Sequence, residues 1–151
     1  MTGHELYAKL FSMNVCSESL NYVRDRRARL TAEQIWNGCT RAEWIFYLLR
    51  RCFQNKAITQ EQAKEFLRQY TLRYYPSKLD FIEMMLTTPR LRPLPLDDYF
   101  RGNRAVYGAT LLRQNERNFF VSVFSADHPL FASNYLKTLH PWERIERALT
   151  K

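Results

Sequence analysis

The side chains with most chemistry to offer in this sequence are arginines. Arg24, Arg26, Arg27 and Arg29 put four guanidinium groups into six positions around a single carboxylate, Asp25. A second set, Arg90, Arg92, Arg101, Arg104, Arg113 and Arg117, follows later in the chain with Tyr107 among them. Arginine presents a planar fork of donors that grips carboxylate or phosphate bidentately, and it stacks on aromatic or base faces. The 151 residues contain 17 Arg but 6 Lys, and 23 basic against 15 acidic side chains leave a net charge of +8. Tyr22, Tyr70, Tyr74, Tyr75 and Tyr99 also lie near these arginines in sequence. Arg interleaved with Tyr suits phosphate contact plus base stacking. It suits a protein–protein hot spot equally. Two plainer readings stand beside these: a GC-rich coding sequence that raises Arg, and a solvated basic face with Tyr at the edge of the core. The charge forms no tail, with 12 basic and 7 acidic residues in 1–75 and 11 and 8 in 76–151.

Other chemistries find little support. Four glycines in all (Gly3, Gly38, Gly102, Gly108) allow neither a P-loop nor a dinucleotide fingerprint. Cys16, Cys39 and Cys52 form no C-x-x-C pair, and His4, His128 and His140 are scattered, so no metal site is expected. Cys39 is the one candidate nucleophile. It precedes a predicted helix start, where the helix dipole lowers a thiol pKa, with His128 or His140 as base. Its ordinary role is that of a small buried hydrophobe over Trp44. Asp97-Asp98 fits a helix N-cap better than a metal site. No catalytic residue and no cofactor are assigned.

The elements that must position these groups are legible from start signals. Thr31 with Gln34, Thr40 with Glu43 and Thr59 with Gln62 each read as a Thr cap three residues ahead of a Glu or Gln that reaches back. Helices are therefore expected from 31, 40 and 59. Trp44 to Leu49 cover almost a whole helical circumference, which makes residues 40–54 the central helix. The helix from Thr59 carries the stripe Ala63, Phe66, Leu67, Tyr70 and Tyr74, and Pro76 stops it. Further helices are expected at about 5–13, 17–28 and from Ser77 to Pro89. Pro129 and Pro141 mark two more starts, the second with a Trp142, Ile145, Leu149 stripe.

Residues 89–98 read as a proline-rich crossover, and a single helical turn is expected at 97–101, closed by Gly102. Residues 105–113 and 118–124, rich in Val, Thr, Tyr, Phe and Leu around a polar 114–117, predict a β-hairpin. The expected architecture is a single α+β domain over 1–151, α-dominant: a helical part (1–88), the crossover (89–98), then hairpin and C-terminal helices (99–151). Two strands are rarely stable alone, so the hairpin (105–124) is expected to pack on the helices, or to gain a further strand from residues 96–104 or from a second copy across a homodimer edge. Three cysteines favour a reducing compartment. The N-terminus has no secretory pattern and no apolar run exceeds the six residues 44–49, so a cytoplasmic protein without membrane contact is expected.

Residues 36–45, Trp36-Asn37-Gly38-Cys39-Thr40-Arg41-Ala42-Glu43-Trp44-Ile45, contain the pattern W-x-x-C-x-x-x-[DE]-W-[LMI]. It resembles a segment of small uncharacterised proteins of phages and mobile elements. Those relatives usually carry Gly or Pro where this chain has Ala42, and Asp where it has Glu43. The resemblance covers about a tenth of the chain and implies a genomic setting in which small proteins act by stoichiometric binding, in the host cytoplasm. The expectation from sequence is a non-catalytic binding protein, an inhibitor or modulator of phage type, that meets an acidic macromolecular partner through Arg/Tyr surfaces. The alternative is a DNA- or RNA-binding protein, and a Cys39-dependent enzyme is a distant third.

Overall fold

The computed structural model describes residues 1–54, 57–87 and 129–151. Its elements are helices α1 (Gly3–Ser12), α2 (Ser17–Arg24), α3 (Ala32–Gly38), α4 (Ala42–Phe53), α5 (Gln60–Tyr74), a 3-10 turn (Pro76–Lys78), α6 (Leu79–Thr87), α7 (Pro129–Leu139) and α8 (Trp142–Leu149). No strand or sheet forms among the described residues, where an isolated antiparallel bridge joins Thr2 and Thr31. The α+β expectation is thereby corrected: the described chain is all helical. The β-type composition that prompted it lies wholly in residues 105–124, outside the described residues, as does the proposed dimer edge. The crossover at 89–98 and the turn at 97–101 lie outside them too.

Cap chemistry explains where the helices begin. Thr31 Oγ1 accepts from the Gln34 amide at 3.2 Å while Gln34 Oε1 accepts from the Thr31 amide at 2.9 Å. Thr59 and Gln62 repeat this at 3.1 and 2.9 Å. A third box, Thr2 with Glu5, opens α1 at 3.1 and 2.7 Å; its T-x-x-E spacing was readable in the sequence. The Thr40 box does not form. Helix α4 starts one residue later with Arg41 at its N-cap position, and the Glu43 carboxylate accepts from Arg41 Nε instead. A charged donor outcompetes a backbone amide for the same carboxylate.

Helix α4 is central, with α7 and α8 packed on it. It buries Ile45, Phe46, Leu48 and Leu49, but Trp44 is half-buried and Tyr47 remains 37% exposed, so one face is open rather than the whole circumference covered. The α5 stripe of Ala63, Phe66, Leu67 and Tyr70 is buried, as is the Trp142, Ile145, Leu149 stripe of α8. Phe66 sits among Phe131 and Tyr135 of α7, with ring centroids 5.6 and 5.2 Å away.

Long-range hydrogen bonds from Lys137 and His140 help to hold α7 and the α7–α8 corner. Lys137 donates to the carbonyls of Asn37 at 2.8 Å and Cys39 at 2.6 Å, placing an ammonium at the C-terminal end of α3, which has no basic residue in its own last turn. His140, 3% exposed, donates from Nε2 to the Ala57 carbonyl at 2.7 Å and stacks on Phe53.

Candidate functional site

Helix α2 ends at Arg24, four residues short of the expected Ala28, and residues 25–30 run on as turns held by bonds such as Arg27 N to Val23 O at 2.8 Å and Leu30 N to Arg26 O at 3.0 Å. The start of α1 approaches these turns closely. A Cβ placed on Gly3 would stand 2.5 Å from the Leu30 carbonyl oxygen and 2.6 Å from both Cα and carbonyl oxygen of Arg27. Glycine lets the two backbones touch there. Arg24 is the last residue of α2, and Arg26, Arg27 and Arg29 sit on the turns that follow it.

Each of the four has a defined local partner. The Arg26 guanidinium lies 3.8 Å above the Tyr22 ring and donates to the Tyr22 carbonyl at 3.0 Å. Arg27 lies 4.3 Å above the Tyr7 ring. Arg24 Nε reaches Asp25 at 3.4 Å, with both side chains more than half exposed, and Arg29 donates to the Asp25 carbonyl at 3.4 Å. An exposed pair of that kind contributes under about 1 kcal/mol. One carboxylate thus stands against four guanidinia whose directions are partly fixed by ring faces.

Stacking on the chain's own rings is a general habit of its arginines. Arg41 covers Trp44 at 4.3 Å, Arg51 faces Tyr47 at 5.9 Å, Arg73 faces Tyr74 at 5.7 Å and Arg144 covers Phe53 at 4.7 Å. Lysine lacks the planar cation for this, so part of the Arg preference is explained by packing within the molecule. The sequence held a signal for it: Tyr22/Arg26 and Tyr47/Arg51 are spaced i, i+4.

Beside the arginine turn lies a half-open cleft of about 550 Å³ between α1, α2, α3 and α4, with Trp142 of α8 also in its lining. Leu6, Leu10, Val23, Ile35 and Phe46 form apolar walls, and Asn14, Cys16, Ser19, Tyr47 and Arg50 are among its more polar lining. All three tryptophans of the chain line it. So do Trp36, Cys39, Glu43, Trp44 and Ile45, the five residues that carry the resemblance described above. Sequence reading took these as caps and packing and did not find the cleft, because the opening depends on how far α2 stands from α4.

Cys39 is buried in this wall and its Sγ contacts the Arg41 carbonyl at 3.9 Å. Burial raises the thiol pKa above its ordinary value, the reverse of the dipole-lowered thiol expected from a position ahead of a helix. Cys16 is the exposed thiol, donating to Ser19 Oγ at 3.2 Å. His140 is held below its ordinary pKa chiefly by burial, with nearby Arg144 acting the same way against the opposing bond to Ala57. Its Nδ1 and Trp36 Nε1 are buried with no hydrogen-bond partner among the described residues. Among the described residues no three His, Cys, Asp or Glu side chains group as metal ligands, and no helix is long and apolar enough to cross a membrane.

Of the expected binding residues, Arg24, Arg26, Arg27 and Arg29 lie within the described residues. Arg90, Arg92, Arg101, Arg104, Tyr107, Arg113 and Arg117 lie outside the described residues, as does His128. Comparison of the chain with protein-family models, with curated proteins and with solved structures finds no match in any of the three.

Proposed function

We propose that this chain is a non-catalytic, stoichiometric binding protein that presents the Arg24–Arg29 turn to an acidic protein surface. The observation that carries the reading is the turn itself: four guanidinia within six residues, two of them laid on tyrosine rings, with Asp25, the one carboxylate in that stretch, exposed and 3.4 Å from Arg24 Nε. Side chains already ordered lose less entropy on binding, and arginine forks match carboxylates in pairs. The same geometry favours protein over nucleic acid. Base stacking needs free aromatic faces. Tyr22 is stacked by Arg26 and meets Trp44 at 5.5 Å, while Tyr7 is covered by Arg27 and meets Phe11 at 6.3 Å. The resemblance of residues 36–45 to phage and mobile-element proteins is the ground for reading the role as that of an inhibitor or modulator.

The test is a charge reversal with an internal control, read as anisotropy of a fluorescent oligoglutamate. Arg24→Glu with Arg29→Glu is expected to weaken binding at least about tenfold. Arg73→Glu with Arg147→Glu changes net charge equally at exposed sites elsewhere and is expected to weaken it much less. Equal losses in the two variants mean that only net charge acts, and the reading fails.

A further inference from the structure

Helix α1 buries Leu6 and Leu10 on one side and leaves Tyr7, Ala8 and Phe11 on another. Residues three and four apart on a helix are neighbours, so these three share one outward face. Phe11 is 63% exposed, more than any other large hydrophobic side chain among the described residues. Its ring packs on Tyr7 with centroids 6.3 Å apart, and the Arg27 guanidinium lies 4.3 Å from the centre of that same Tyr7 ring. Those two steps keep the Phe11 ring within about 11 Å of the guanidinium, about three residues of extended chain at about 3.3 Å each.

The charge beside Phe11 selects its partner. Arg26 and Arg27 pair with no carboxylate among the described residues, and Asp25 contacts Arg24. Cations that the chain does not neutralise locally therefore adjoin an exposed ring. A lone exposed aromatic is ordinary on a protein surface. Continuity with the arginine turn distinguishes this one, because aromatic and arginine side chains together make up the anchors of protein interfaces. A base-stacking platform needs successive free rings, and the next ring in line, Tyr7, is covered by Arg27. The arrangement favours a peptide over a nucleic acid.

We propose that the arginine turn and the outward face of α1 form one docking surface for an acidic peptide segment. That segment carries a large apolar side chain within about three residues of its carboxylates, the apolar group on Phe11 and the carboxylates on the turn. The inference rests on the reading of the turn as a carboxylate-binding surface and adds the apolar anchor to it.

The experiment compares two labelled peptides of equal charge, titrated with the full chain and followed by anisotropy: oligoglutamate, and the same peptide with one leucine in its middle. The leucine peptide is expected to bind at least about fivefold more tightly. Phe11→Ala is expected to bring it within about twofold of oligoglutamate, whose own affinity the substitution leaves unchanged. Phe11→Leu, which keeps an apolar surface, is expected to retain most of the gain. Because the gain is apolar, the ratio of the two affinities is expected to persist from about 0.1 M to about 0.3 M salt while both affinities fall. Truncating so exposed a side chain is expected to leave circular dichroism and the urea midpoint unaltered. Equal affinity of the parent for the two peptides, or equal loss of both with Phe11→Ala, would overturn the proposal and leave the reading of the turn standing. Loss of oligothymidylate binding with Phe11→Ala, or a self-association that this substitution abolishes, would overturn it by assigning the ring to a base or to a second copy. A large drop in the urea midpoint would overturn it as well, since the chain itself would then use the ring. Undiminished binding of both peptides by Arg24→Glu with Arg29→Glu would instead fail the reading on which it rests.

Discussion

Replacing Gly3 by Ala pits two effects against each other, and the structure decides the sign. Helix propensity alone says that Ala in place of Gly stabilises by at most about 1 kcal/mol. Against this, the new Cβ meets backbone atoms at 2.5 to 2.6 Å on Arg27 and Leu30. Those atoms cannot swing aside as the end of a side chain does, so relief requires the turn to move by most of an ångström. Overpacking of this kind costs about 1–3 kcal/mol. It also strains the bridge of Thr2 to Thr31 and the 3.2 Å bond from the Ala32 amide to the Met1 carbonyl. The expected net change is a loss of about 1–2 kcal/mol, or about 2–8 °C in Tm for a chain of this size. Gly38→Ala is the control, since a Cβ there meets only Tyr22 Oη at an ordinary 3.8 Å; it is expected to be neutral or slightly stabilising. Urea unfolding followed by circular dichroism, with equal slopes for all three proteins, reads both values. A Gly3→Ala protein as stable as its parent would refute the claim that backbone contact with α1 positions the arginine turn.

Thr31→Ala is expected to cost about 1 kcal/mol through its lost cap, whereas Thr40→Ala is expected to cost almost nothing because no Thr40 cap exists; urea midpoints compare them. The neutral burial of His140 gives a pH dependence whose sign follows from its lowered pKa. The unfolded chain takes up a proton near pH 6.5 that the folded chain refuses until lower pH, so stability is complete above that value and declines as pH falls below it. The slope is at most about 1.4 kcal/mol per pH unit for this one group, and His140→Gln is expected to flatten it in urea titrations between pH 7.5 and 5.5.

Much of the helical scaffold was legible because its signals are local. The Thr31 and Thr59 boxes, the α5 and α8 stripes, and the stop at Pro76 each depend on residues within a few positions. The Thr40 reading failed through competition: Arg41 sits one residue from Thr40 and takes the carboxylate that the cap required. Helix α2 stops short of the expected Ala28, and the close approach of Gly3 to Arg27, from more than twenty residues earlier, leaves no mark in the local sequence. For the same reason, the arginines were recognisable as a cluster but not as a turn. The cleft could not be read at all, since Trp36, Trp44 and Trp142 each have a good packing explanation taken singly. Excess arginine likewise had a second cause, the ring faces within the chain, that only the spacings Tyr22/Arg26 and Tyr47/Arg51 hinted at. The α+β expectation drew on residues 105–124 alone, and nothing in the described helices carries it.

In the proposed role the Arg24–Arg29 turn meets carboxylates rather than bases, because the faces of Tyr22 and Tyr7 are already covered. The most direct measurement of this is a comparison of labelled oligoglutamate and oligothymidylate of equal length and charge, titrated in the same buffer at about 0.1 M salt. Tighter binding of the acidic peptide, by about tenfold, that disappears in Arg24→Glu with Arg29→Glu is the predicted result. Oligothymidylate binding as tightly as the peptide, or more tightly, would contradict the account.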